Sequence, residues 1–276
     1  MILKKEIIYQ LITDLLIYTN NTEKNYLNET DFKNEVNNLL SKYSININFY
    51  CINFKNDERK NRIKERFKRM NFENNLIFTN PVFLTDERLN HIENVENKRN
   101  TAIFYQHLDS LVHFIEKTNF EYCIVCEDDI LIDVNFRKKL PVFINYFEKL
   151  KLDVMLLGYL LPYELDMSTF LHKEYFKMIE NNEGFTLHEY PDDLWGSQMY
   201  LVNRKYAQFL INKYFIDKYE EKPLNPDWTI TKDTNNRALV YPLIALEEGV
   251  NISNNQEQVE YHKLVYDTHF REGKYF

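Results

Sequence analysis

Cysteine is scarce in this sequence: three residues in 276, an odd number and too few for a disulfide scaffold. Two of them, Cys123 and Cys126, have the CxxC spacing of a metal or redox motif. They lie in Tyr122-Cys123-Ile124-Val125-Cys126, however, which reads as a buried strand. Alternation along a strand sends the two sulfurs to opposite faces, so both are predicted to be core residues. A basic excess is missing as well. The net charge is -8, which argues against nucleic acid as a partner. Long apolar runs are also lacking. None approaches the roughly 20 residues that span a bilayer. The apolar N-terminus is broken by Lys4, Lys5, Glu6 and Asp14, with no small-residue cleavage site behind it. The sequence therefore predicts no transmembrane segment and a cytoplasmic protein, so the sequons at Asn20, Asn28 and Asn251 carry no weight.

Glycine and proline are few, at 5 and 7, whereas 44% of residues are hydrophobic and 20 are Tyr and 20 Phe. That composition excludes disorder and suffices for one sizeable core, in one large domain or a domain with an appendage. Leu3, Ile7, Ile8, Leu11, Ile12, Leu15 and Leu16 form a helical stripe over 3–18, and Asp31 caps a second predicted helix over 32–42. Residues 1–44 are read as a helical appendage, and 45–276 as the main domain.

From Ile45 the texture changes. Ile45 to Phe54 reads as a first strand. Lys55 to Arg69 is locally basic, with Ile63, Phe67 and Met70 at helical spacing, and predicts an amphipathic helix with a solvated basic face. Strands are expected at 75–78, 82–84, 122–126, 154–157, 199–202 and 239–244. Helices are expected at 101–117, 140–150 (Pro141 in the first turn) and 205–214. This alternation predicts a largely parallel sheet covered on both faces.

The most informative segment is Cys123-Ile124-Val125-Cys126-Glu127-Asp128-Asp129-Ile130. An apolar strand stops at three adjacent carboxylates, and ligands of open α/β sheets gather beyond the carboxyl ends of strands. Adjacent anions repel one another unless water or a cation offsets them, and a hard ion such as Mg²⁺ or Mn²⁺ bridges carboxylates to phosphates. Alternation sends Glu127 and Asp129 to one side and Asp128 to the other. Asp129 is assigned to metal, Glu127 to a ribose or a metal-bound water, and Asp128 to the metal or to orienting the loop.

Several segments, in order, resemble glycosyltransferase family 25, which includes lipopolysaccharide and collagen galactosyltransferases. Ile52-Asn53-Phe54 followed by Arg59 and Arg62 is similar to its first-strand signature. Gln106-His107-Leu108 lies where the family has a Ser-His pair, and Glu127-Asp128-Asp129-Ile130 looks like its metal motif. Asp153-Val154-Met155-Leu156-Leu157-Gly158, Gly196 to Val202, Pro226-Asp227-Trp228 and Tyr241-Pro242 resemble its later strands and loops. The resemblance covers about residues 45–255. It departs at Arg99 to Ile103, which replace a Gly-Glu-x-Gly-Cys turn, and at Gln106, which replaces the Ser.

The resemblance implies a GT-A-type (Rossmann-like) α/β fold with a mixed, mainly parallel sheet flanked by helices. It implies a UDP-sugar donor (galactose or glucose), Mn²⁺ or Mg²⁺, a glycan or protein acceptor, and inversion at the anomeric carbon. Asn53, Arg59 and Arg62 then fall where the nucleotide is received, with Glu127 and Asp128. Inversion needs a base for the acceptor hydroxyl. Asp227 is the candidate, with Asp192 and Asp193 as rivals. His262 is preferred over His269 as a further metal ligand beside Asp128 and Asp129, because 259–265 reads as a strand. His107 is expected to be a satisfied core histidine. Two other functions fit the same residues: a non-catalytic GT-A-like glycan- or nucleotide-binding protein, and a Mg²⁺-dependent phosphoesterase.

Overall fold

A computed structural model describes residues 46–216, 224–249 and 256–276. The helices expected at 3–18 and 32–42, and Asn20, Asn28 and Asn251, lie outside the described residues. The chain falls into two compact units, Ile47–Phe136 with Lys151–Phe276, and Met1–Asn46 with Arg137–Leu150.

In the larger unit an eight-stranded sheet comprises β1 (Ile47–Ile52), β2 (Leu76–Phe78), β3 (Tyr122–Glu127), β5 (Val154–Leu160), β6 (Met178–Asn182), β7 (Phe185–Glu189), β8 (Trp195–Asn203) and β9 (Arg237–Tyr241). A two-stranded ribbon pairs β4 (Ile130–Ile132) with β10 (Ala245–Glu247). The sheet order is β2-β1-β3-β8-β5-β9-β7-β6. Six strands run one way, and β7 and β8 are reversed. The expected mixed, mainly parallel α/β sheet is thus observed. β5 is buried at every position and β8 at all but its ends, so both faces of the central sheet are covered. The helices of this unit are α1 (Asp57–Arg69), α2 (Val95–Lys117), α4 (Phe170–Tyr175), α5 (Arg204–Ile211), α6 (Pro226–Thr229) and α7 (Gln256–His269). A helix α3 (Phe136–Lys149) lies almost wholly in the smaller unit.

Local chemistry explains these elements. Asn56 caps α1 by accepting from the Arg59 N–H. Asp57 and Glu58 fill the first turn and Arg66, Lys68 and Arg69 the last, each sign suiting the helix dipole. Ile63 and Phe67 turn inward, where Phe67 meets Phe49 of β1 edge-on at 5.0 Å. α2 begins well before Thr101 because Asn94 caps it through the Asn97 N–H. Cys123 and Cys126 are free and fully buried, as alternation predicted.

Three expectations are corrected. Residues 82–84 form no strand: this run of three apolar residues lies between Pro81 and Thr85 without a pairing partner, and only Val82 is buried. α3 starts at Phe136, so Pro141 sits inside the helix and not in its first turn. Residues 259–265 are helical within α7, not a strand. Two glycines set close approaches near the ribbon. A Cβ on Gly158 would lie 2.9 Å from the Ala245 Cβ, and one on Gly196 would lie 2.5 Å from the Tyr159 Cβ. Gly158 thereby lets β10 cross β5, where the Ile244 N–H bonds the Leu157 carbonyl at 2.9 Å.

Candidate active site

β1 and β3 are parallel and in register, with Ile52 opposite Glu127, so their chains leave the sheet side by side. The next residues meet: the Asn53 amide donates to Asp128 Oδ2 at 2.5 Å and to the Asn56 carbonyl at 2.9 Å. Lys55, at φ 52, makes the left-handed turn between them. Gln106 of α2 donates to the Asn53 carbonyl at 3.2 Å and so ties α2 to the end of β1.

Three arginines of α1 are engaged by the acidic site, while Lys64, Lys68 and Arg69 keep the solvated face that was expected. Arg59 Nη1 donates to Asp129 Oδ2 at 2.8 Å and lies 3.5 Å from Asp128 Oδ1. Arg62 donates to both oxygens of Glu248, at 3.2 and 2.9 Å. Arg66, buried, donates to Glu248 Oε1 at 2.5 Å and to the Ile130 carbonyl at 2.9 Å. Residues 59, 62 and 66 share one helical face, and that face meets the acidic rim of the site. Neither Arg66 nor Glu248 was singled out from the sequence. The three- and four-residue spacing of the arginines was the available signal.

Deeper in, the acids are less well compensated. Ser197 of β8 donates to Glu127 Oε1 at 3.2 Å. Burial, and then the charges of Asp129, Asp227 and Glu247, hold the Glu127 carboxyl well above the usual range. Burial and Glu247 push Asp129 up to about 7 against the pull of Arg59. Burial also raises Asp227, opposed by Ser197, Lys232 and His262. Asp128 is raised by burial, with Asn53 and Arg59 pulling the other way. Two buried oxygens, Asp129 Oδ1 and Asp227 Oδ1, have no hydrogen-bond partner. Such atoms carry the full desolvation cost of an unmet acceptor.

Glu247 enters this cluster through the ribbon, opposite Ile130, while the Glu248 N–H bonds the Asp129 carbonyl at 2.8 Å. Its Oε2 lies 2.6 Å from His262 Nδ1 of α7. Burial lowers the His262 pKa, but the hydrogen bond and charge of Glu247 outweigh it and the net shift is upward. His262 thus joins the site as the partner of Glu247. Glu247 and Ser197 were absent from the sequence expectations.

The strand ends at Glu127, so Asp128 and Asp129 lie in a turn where strict alternation no longer applies; Asp128 meets Asn53, and Arg59 reaches both Asp128 and Asp129. Asp227 belongs to the cluster. It sits in the first turn of α6, which is capped by Asn225, so it is not itself the cap. Asp193 does not belong. It lies exposed on the turn before β8, where it accepts from the Tyr175 hydroxyl, and Asp192 beside it is held by Arg237. A turn that carries its acids outward cannot aim them at a base's position among buried groups. His107 is a core residue, with Nδ1 3.1 Å from the Tyr200 hydroxyl and its pKa driven down to about 3 by burial. Its Nε2, however, is buried without a partner, so it is only half satisfied.

Among the described residues no three His, Cys, Asp or Glu side chains are arranged to hold a metal ion together. The donor chemistry nonetheless suits a hard divalent cation: oxygen donors, mutual repulsion that raises their pKa values, and an unpartnered inward oxygen on Asp129. Asp128 is a poor donor here, since its oxygens are already engaged by Asn53 and Arg59.

No family model and no curated protein matches this chain. Among solved structures it is similar to a glycosyltransferase involved in the glycosylation of the major capsid of PBCV-1, with a TM-score of 0.38 and 11% identity over 79% of this chain and 98% of that one. It is also similar to the mannose-1-phosphate geranyltransferase of Thermus thermophilus, with a TM-score of 0.37 and 9% identity over 70% of this chain and 73% of that one. No helix among the described residues is long and apolar enough to cross a membrane.

Proposed function

We propose that this chain is a metal-dependent glycosyltransferase of GT-A type, moving a hexose (galactose or glucose) from a UDP-sugar to a hydroxyl acceptor on a glycan or protein, with inversion. One observation carries the reading. Glu127 with Asp129, Asp227 and Glu247 converge from three separate stretches of chain, and Asp129 and Asp227 each keep a buried oxygen unpartnered. Nothing in folding alone favours that concentration of uncompensated charge, whereas a cation–diphosphate ligand would relieve it.

Asp129 with Glu247 would hold the cation, which when bound supplies Lewis-acid stabilisation to the departing diphosphate. Arg59, at the start of α1, is placed to trade its carboxylate partner for a phosphate oxygen in a charge-assisted bond. Asn53 and Arg62 flank the same strand end. Asp227 acts as the base: the acceptor oxygen attacks the anomeric carbon, the bond to the diphosphate oxygen breaks, and the hydroxyl proton passes to the carboxylate. A raised pKa suits that task, because base strength increases with it. Glu127, anchored by Ser197, is left to the ribose or to a water of the ion.

One feature favours a second reading, a non-catalytic GT-A-like nucleotide- or glycan-binding protein: Arg59 already neutralises Asp129 at 2.8 Å. Turnover decides between them. UDP-galactose, UDP-glucose and their N-acetyl forms are incubated with the protein in Mn²⁺ or EDTA, beside Asp129→Ala. Metal-dependent hydrolysis of one donor that the variant lacks supports the transferase. Absence of turnover with every donor refutes it.

A further inference from the structure

Next to Asp227 the surface carries an aromatic corner that the proposed chemistry has not used. The sequence has two tryptophans, Trp195 and Trp228, and both are well exposed, at 42% and 38%. Their ring centroids are 5.2 Å apart and their planes meet at 75°. Both are fixed by the candidate site itself. Trp195 opens β8 two residues before Ser197, so the two project to the same face of the strand, and Ser197 bonds Glu127. Trp228 follows Asp227 directly on α6, which packs against β8. Gly196, between Trp195 and Ser197, has no room for a side chain, because β8 presses on Tyr159 there. The corner therefore has a rigid floor.

Polar groups rim it. The Lys232 ammonium stacks over one face of the Trp228 ring, 3.3 Å from its centre, and donates to the Asp192 carbonyl, which leaves the Trp195 ring and the other side of Trp228 for a ligand. The exposed Asp192 and Asp193 side chains lie on the adjoining turn. A large indole gains from burial, so two left open beside a buried, unpartnered carboxylate oxygen mark a surface kept for a ligand. A pyranose has the complementary shape: an apolar face of C–H bonds for the rings, and a rim of hydroxyls for ammonium and carboxylate.

We propose that Trp195, Trp228 and Lys232 form the acceptor subsite and that the acceptor is a saccharide, seated on the indoles with one hydroxyl directed at Asp227. This rests on the transferase reading, and it narrows the acceptor to a sugar ring over a protein hydroxyl side chain.

Because the protein has no other tryptophan, its emission excited at the red edge of the absorption band, where the 20 tyrosines do not absorb, reports on this corner. Methyl β-glucoside, methyl β-galactoside and methyl α-mannoside are titrated separately into the parent, and the ratio of transfer to hydrolysis is measured with the donor that turns over. At least one glycoside is expected to shift the emission saturably. Trp195→Ala and the milder Trp228→Phe are expected to lower the transfer-to-hydrolysis ratio, by about ten-fold for Trp195→Ala, the scale of one lost stacking contact. Phe209→Ala, which removes an exposed aromatic on α5, should leave the ratio at the parent's value. Unchanged emission with all three glycosides, or a parental ratio in both tryptophan variants, overturns the assignment. If a glycoside shifts the emission but no donor turns over, the transferase reading fails and the corner stands as a sugar-binding site.

Discussion

Asp129→Asn should make the metal-free protein more stable, and by an amount that depends on pH. The Asp129 carboxyl is lifted from its ordinary 3.8 to about 7 by burial and by Glu247. A carboxyl whose folded pKa lies above its unfolded value keeps its proton longer when folded. Its ionisation therefore costs stability as pH rises through that window, with no cost below about 4 and the full cost above about 7. A lift of this size corresponds to a penalty of up to about 4 kcal/mol, with the opposing contact to Arg59 already included. An asparagine is nearly the same shape and cannot ionise, so it escapes the penalty. We expect a gain of roughly 2 to 4 kcal/mol at pH 8, read in urea as a midpoint higher by about 1 M, and a gain near zero at pH 4. The assay is equilibrium urea unfolding in EDTA at several pH values, followed by circular dichroism. If the variant is no more stable at pH 8, or its gain is the same at every pH, Asp129 is not under electrostatic stress and the case for a cation weakens with it.

Other expectations follow from single contacts. Arg66→Ala strands Glu248 with Arg62 as its remaining arginine and frees the Ile130 carbonyl, so it should destabilise by about 3 kcal/mol in the same unfolding assay. Gly196→Ala places a methyl against Tyr159 and should cost about 3 kcal/mol. Gly184→Ala, with open space around it, should cost only about 1 kcal/mol for its φ of 85°. Asp227→Asn should lower kcat for transfer by at least about 100-fold while leaving the donor KM near the parent value, because it removes a base and not a donor contact.

How much of this was legible beforehand depends on whether a feature was written locally. The end of β3 was readable because apolar residues stop at three carboxylates within one segment; the turn at Asp128 and Asp129 was not, because strand alternation stops at Glu127. α1 was readable from Ile63, Phe67 and Met70. What its arginines do was not, since Glu248 lies almost two hundred residues away and reaches them only through the β4–β10 ribbon. Glu247 was hidden for the same reason: its approach depends on the space left at Gly158. α7 was missed differently. Val259 to Val265 reads as a strand, but His262, Val265 and His269 have helical spacing, and His269 is buried and bonds the Leu161 carbonyl at 2.7 Å.

The arrangement of opposite charges separates the acids into two groups, and that separation bears on which of them a cation would meet. Arg59, Arg62 and Arg66 reach Asp128, Glu248 and one oxygen of Asp129. Among the described residues, His262 and Lys232 are the cations that act on the inner acids Asp227 and Glu247, and His262 also senses Asp129. The rim is thus balanced by the protein and the centre is not. Asp128 sits in the motif beside Asp129 yet belongs to the balanced group, so Asp128→Asn and Asp129→Asn should separate in a Mn²⁺ titration. The first, which keeps an oxygen for Asn53, should retain binding within about three-fold. The second should lose it by ten-fold or more, the scale of a lost charged ligand in a hard-cation site. Equal losses in the two variants would mean that the ion is read by the whole acidic triplet and that the balance set by α1 has no part in choosing its ligands.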